Sequence, residues 1–189
     1  MIYIYGDSHA RNSFKNLALR HECREESGVT MHRVGRDKVI PKWKDCTSDD
    51  TSVFVYGEVD CRAHIGKQIE LGRTESEVIH TLVREYIDAI CNVVTVGKVI
   101  IVAVIPPTTN REYAAEVVNG GFPFVSSDAD RVRYTQHINA ELEAGCARNH
   151  FTFFNPYDRY TREDGCLRRE LSDGNVHVGN SVHVLELFC

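Results

Sequence analysis

Apolar positions along this chain gather into short runs rich in β-branched and aromatic side chains, at residues 2–5, 29–34, 53–56, 99–105 and 151–154. Runs of this length and make-up predict five strands. Residues 99–105, VIIVAVI, are apolar throughout, as expected of a strand covered on both faces in a parallel sheet. Between the runs the apolar period lengthens. Ile79, Leu82, Val83, Tyr86, Ile87 and Ile90 mark a helix from Thr74 to about Val94. Its opening, Thr74-Glu75-Ser76-Glu77, matches a capping box, in which a hydroxyl and a carboxylate satisfy each other's free amides. Val132, Tyr134, Ile138 and Leu142 mark a second helix from Asp128 to about Cys146, capped by Asp128 or Asp130. A third is expected from His9 into the twenties.

Strands alternating with helices predict a three-layer α/β/α sandwich around a parallel sheet, because parallel neighbours need crossovers. In such sheets ligands collect beyond the carboxyl ends of the strands. The long loops at residues 35–52 and 106–127 are expected to wall a pocket there. Pro106-Pro107 stops the fourth strand, and Gly120-Gly121 offers a bend. The 189 residues carry no repeat or linker, so one domain spanning 1–189 is expected.

Composition narrows the function classes. A net charge of −5 with scattered basic residues excludes a phosphate-backbone footprint, so nucleic acid is not an expected partner. No apolar run is long enough to cross a bilayer, and no signal-like segment opens the chain. A soluble, cytoplasmic protein without a membrane partner is expected. Seven cysteines without a CxxC pair argue against a disulfide framework or zinc ribbon and for reduced thiols. No cofactor or metal is implied: Asp60, Cys61 and His64 are a mixed ligand set lacking a second pair at matching spacing.

Three polar segments lie where strand ends should converge. Ser8, in GDSH at residues 6–9, follows the first strand and opens a helix, where free amides favour a developing anion. It reads either as a nucleophile or as a helix cap. A serine nucleophile needs a histidine base and an orienting carboxylate. Asp173 and His177, in DGNVH at residues 173–177, supply both on one loop that Gly174 lets turn back. The alternative is a turn with a surface histidine. His183 is a rival base without a carboxylate close before it. The third segment is GEVDCRAH at residues 57–64. Gly57 allows close backbone approach, and Arg62 either stabilises an anion or grips substrate, or else pairs with Asp60 behind the site. His9 and His64 read as wall or surface residues.

GDSH, GEVD and DGNVH, in this order on this pattern, resemble the blocks of the SGNH (GDSL-like) hydrolases over nearly the whole chain. The resemblance implies a flavodoxin-like three-layer fold and an esterase activity. It makes Ser8 the nucleophile and an oxyanion donor through its amide, His177 the base and Asp173 the orienting acid. It matches the family's second-block glycine, a backbone oxyanion donor, to Gly35. Two departures stand out. The family's third block carries an asparagine that donates to the oxyanion, and Val59 occupies that column. Loss of such a donor can cost about 3–4 kcal/mol of transition-state stabilisation, and Arg62 is the nearest substitute. The acid also precedes the histidine by four residues rather than three. The GEVDCRAH variant leans toward carbohydrate esters. The expected reaction is hydrolysis of a small acyl ester, acetyl above all, on a small molecule or glycan. The alternatives are a non-catalytic ligand-binding or scaffold protein of the same fold, and an acyltransferase. Nothing in the sequence sets the oligomeric state.

Overall fold

The computed structural model describes residues 1–109 and 122–188. In chain order these form β1 (Ile2–Gly6), α1 (Ser8–Phe14), β2 (His21–Glu25), α2 (Met31–Asp37), β3 (Thr51–Val55) and a π-helical turn (Asp60–His64) that runs into α3 (Ile65–Glu70). There follow α4 (Glu75–Val93), β4 (Lys98–Val102), α5 (Asp128–Asn149), β5 (Thr152–Phe154), α6 (Tyr157–Tyr160) and α7 (Val182–Leu185). The strands pair in parallel in the order β2-β1-β3-β4-β5. The expected three-layer architecture is therefore present. The chain leaves β1 toward β2 and returns on its other side as β3, so the switch point lies at the carboxyl ends of β1 and β3.

Side chains alternate across β1. Tyr3 and Tyr5 join a core with Met31 and Val34 of α2 and with the buried faces of α4 and α5. Ile4 joins a second core with Phe14 of α1, Tyr160, Leu171 and Val184. The sheet is thus covered on both faces, which is why its central strands lack a polar side.

The capping box at Thr74 forms as expected: Glu77 N–H donates to Thr74 Oγ1 (3.3 Å) and Thr74 N–H to Glu77 Oε2 (3.0 Å). For α5 the cap is Ser127, one residue earlier than expected. Asp130 is its reciprocal partner, accepting from the Ser127 amide at 3.2 Å.

Two expected elements are corrected. Residues 29–34 are not a strand: Thr30 caps α2 by accepting from Arg33 N–H (3.0 Å), and Met31 and Val34 are one helical turn of its buried face. The second strand is instead β2, HECRE, an edge strand half-buried at every position and without an apolar run to betray it. Consequently α1 ends at Phe14 rather than in the twenties. The Gly120-Gly121 bend and Cys189 lie outside the described residues, and the other six cysteines are free thiols. Among the described residues no helix is long and apolar enough to cross a membrane.

Candidate active site

Gly6 makes the turn out of β1 possible: a Cβ there would lie 2.3 Å from the Val55 carbonyl oxygen and 2.6 Å from the Ala10 Cβ. Asp7 then caps α1, its Oδ1 accepting from His9 N–H at 2.8 Å. Ser8 is accordingly not the helix cap; it is the first helical residue. Its amide belongs to the first turn, whose N–H groups have no intrahelical acceptor.

The loop before α7 delivers the histidine. Asp173 Oδ1 accepts from the amides of Asn175 (2.8 Å) and His177 (3.2 Å), Asp173 N–H donates to the His177 carbonyl (3.1 Å), and Gly174 turns the chain at φ 85°. With one carboxylate oxygen engaged by the backbone, Oδ2 lies 3.0 Å from His177 Nδ1. The four-residue spacing is absorbed by this turn. On its other side, His177 Nε2 lies 2.9 Å from Ser8 Oγ. With Nδ1–H donating to the carboxylate, Nε2 is left to accept from the hydroxyl, the arrangement that general-base activation requires. Burial, and next the positive His9 beside it, push the His177 imidazole below its usual value against the pull of Asp173. The ring is therefore neutral, and able to take a proton, at neutral pH.

Beneath this relay lies a buried charged cluster. His9 Nδ1 lies 3.0 Å from Asp7 Oδ1, Glu58 Oε2 lies 3.6 Å from His9 Nε2, and Arg62 Nη2 lies 3.1 Å from Glu58 Oε2. All four side chains are less than a tenth exposed. Burial alone would lower the His9 pKa, but the Asp7 carboxylate, with Glu58 behind it, raises it to about 9. His9 is thus neither wall nor surface, and Glu58 is the member of GEVD that faces the reacting side. Sequence offered no signal for either beyond the motifs themselves.

The remaining expected site residues fare differently. Arg62 is turned inward: its ion-pair partner is Glu58 rather than Asp60, and it donates to the Phe122 carbonyl at 3.2 Å. Gly57, at φ 119°, is required by packing, since a Cβ would lie 2.6 Å from Val104 Cγ2. Val59 is buried and offers no donor. Asp60 accepts from the amides of Met31 (2.7 Å) and His32 (3.1 Å) and so anchors the start of α2; burial raises its pKa to about 7 despite those amides. His64 stacks on His32 at 4.2 Å between ring centroids, and His183 pairs with Glu186 at 3.0 Å. Asp60, Cys61 and His64 therefore do not converge, and no group of three or more metal-ligating side chains occurs among the described residues.

Gly35 is the clear correction. It lies inside α2 against α4, where a Cβ would sit 2.9 Å from Glu85 Cβ and 3.0 Å from the Tyr86 nitrogen. Because residues 31–37 are a helix and not a strand, Gly35 sits within an element rather than after one. The glycine that follows β2 is Gly28, at φ 75° in a turn closed by Val29 N–H donating to the Glu26 carbonyl (3.2 Å). Glu26 N–H donates in turn to the Gly6 carbonyl (2.9 Å), which sets this turn beside the one that presents Ser8. Gly35→Ala should cost about 1–3 kcal/mol through overpacking while leaving the turnover of folded protein unchanged. Denaturant melts alongside kinetics check this, and a large loss of turnover at unchanged stability would restore Gly35 to the site.

The charged cluster also sets how stability responds to pH. A pKa raised from 6.5 to about 9 means that the stabilisation from His9 is complete below pH 6.5 and lost as pH climbs through 9. The buried thiols Cys61 and Cys146, also raised, act in the same direction at the alkaline end. His32, His64 and His177, all lowered mainly by burial, act oppositely below pH 6.5. Asp60, raised to about 7, opposes the histidines below pH 6.5 and adds to the fall just above it, so stability should fall by on the order of 3 kcal/mol between pH 6.5 and 9. Urea melts at the two values measure the fall; a flat or rising profile would contradict a charged His9.

Wider grooves among the described residues lie away from these groups, as in the 640 Å³ depression lined by Gly35, Arg36, Lys38, Arg84, Glu85 and Asp88. Hydrogen-bond geometry, not concavity, marks the site. No family model matches the sequence, and no curated protein matches it. Solved structures do match the fold. A Streptococcus pneumonia protein described by reference to platelet activating factor aligns at TM-score 0.63 and 15% identity, over 97% of this chain and 78% of that one. An extracellular lipase from Streptomyces rimosus aligns at 0.56 and 14%, over 98% and 97%. A GDSL-like lipase from Bacteroides thetaiotaomicron aligns at 0.52 and 18%, over 98% and 82%.

Proposed function

The fold is that of the SGNH (GDSL-like) hydrolases, and we propose that this chain is a serine esterase acting on small acyl esters, acetyl above all, borne by a carbohydrate or similarly polar alcohol. Ser8 is the nucleophile, His177 the base and Asp173 the orienting acid. The observation that carries the reading is the unbroken chain from Ser8 Oγ through His177 to Asp173 at 2.9 and 3.0 Å. Ser8 Oγ attacks the ester carbonyl as its proton passes to His177 Nε2. The tetrahedral oxyanion is held by backbone amides, those of Ser8 and, in place of Gly35, of Gly28. Collapse expels the alcohol, which takes the proton from His177, and leaves an acyl-Ser8. Water, deprotonated by the same histidine, then releases the acid.

Val59 provides no side-chain donor and the Glu58 carboxylate only accepts, so the oxyanion lacks the third donor that the family pattern has. That same lack favours a second reading, a ligand-binding or scaffold protein that kept the serine. A panel of p-nitrophenyl acetate, butyrate and octanoate beside acetylated sugars separates the two. The esterase reading expects turnover, fastest for acetyl; an inert panel together with saturable binding of an acetylated sugar would favour the binding module. Transfer of the acetyl group to an added sugar rather than to water would identify an acyltransferase.

A further inference from the structure

We propose that His9, protonated on both ring nitrogens, is a positioning residue that ties the helix carrying Ser8 to the loop carrying His177 and keeps that histidine neutral. The inference rests on His177 being the base. His9 Nδ1 meets Asp7 Oδ1 at 3.0 Å, and His9 Nε2 meets the Val176 carbonyl oxygen at 3.2 Å. Both partners are acceptors, so both nitrogens must donate, and only the imidazolium has two N–H groups. The second bond holds the peptide immediately before His177. Donors and acceptors alone thus set the charge of His9, and its raised pKa agrees.

The cation lies against the base. The His9 and His177 rings are 4.6 Å apart between centroids and inclined at 51°. Facing His177 are Ser8 and His9 from α1, Asp173 from its own loop, and Glu58 from the segment after β3. Facing His9 are Asp7, Glu58, Arg62 and the Val176 carbonyl. Asp173 favours the charged form of His177, and it is needed to stabilise the imidazolium formed in the reaction. By itself it would also keep His177 protonated to higher pH. Burial offsets that pull first and the His9 charge adds to it while the base is at rest, so the acid limit of activity moves to lower pH. The cluster is near neutral in sum, two carboxylates against His9 and Arg62, which lets it persist without water.

Two variants separate the tie from the charge. His9→Gln keeps an amide able to donate to the Val176 carbonyl but carries no charge; His9→Leu has neither. Nitrogen-15 imidazole spectra should show both His9 nitrogens protonated at pH 8 in wild type. In His9→Gln the His177 titration should move to higher pH, and the acid limb of kcat/KM should move with it. His9→Leu should show the same shift with a plateau lower by about tenfold or more, as the loop loses its anchor. The proposal is overturned if His9 shows the single-proton pattern at pH 7, or if His177 titrates in His9→Gln where it does in wild type. Should His9→Gln not fold, the wild-type His9 spectrum decides by itself. These spectra need no turnover, so an inert esterase panel with the shift intact would overturn the function and leave the tie standing.

Discussion

Ser8→Ala should lower kcat/KM for a short-chain ester by about 10⁴-fold or more, the scale seen when a serine triad loses its nucleophile. Its hydroxyl is the one aimed at His177 Nε2, at 2.9 Å. Stability should change by less than about 0.5 kcal/mol, the scale of a substitution that touches no cap or core, because α1 is capped by Asp7 and Ser8 is half-buried. The loss is thus expected in turnover alone. His177→Ala should match it, and the double variant should be no worse than either, because the residues act as one unit. Residual activity in Ser8→Ala above a tenth of wild type would mean that another group attacks.

Arg62→Leu should show the opposite partition. The guanidinium is buried, pairs with Glu58 at 3.1 Å and donates to the Phe122 carbonyl at 3.2 Å. Removing it leaves the Glu58 carboxylate buried without its nearest cation, and breaking one side of such a pair costs about 3–5 kcal/mol. For a domain of this size that is a fall in Tm of roughly 10 °C. KM of the folded fraction should stay nearly constant. Pairing Arg62→Leu with Glu58→Gln should recover part of the loss, since the stranded charge goes too. A raised KM at unchanged Tm would instead make Arg62 a substrate ligand.

Sequence order alone placed four of the strands because their side chains are apolar on both faces, as Ile4 and Tyr5 are. It could not place β2, where charged residues sit on a half-buried edge. The apolar residues of α2 span too few positions to distinguish a helical from an extended period. With residues 29–34 taken as extended, the glycine after the second strand counts out as Gly35, whereas the glycine that follows β2 is Gly28. Asp173 and His177 were legible because their contact is local, four residues within one turn. His9 and Glu58 were not: His9 meets Val176 across 167 positions, and a buried imidazolium shows itself only once burial and partners are known.

The most direct measurement is covalent capture with a fluorophosphonate, followed by intact mass and peptide mapping. One phosphonyl group per chain is expected, on the peptide that contains Ser8. Labelling should weaken below the His177 titration and be lost in Ser8→Ala and in His177→Ala. A folded wild-type protein that stays unlabelled at neutral pH, or one labelled on any other residue, would contradict it.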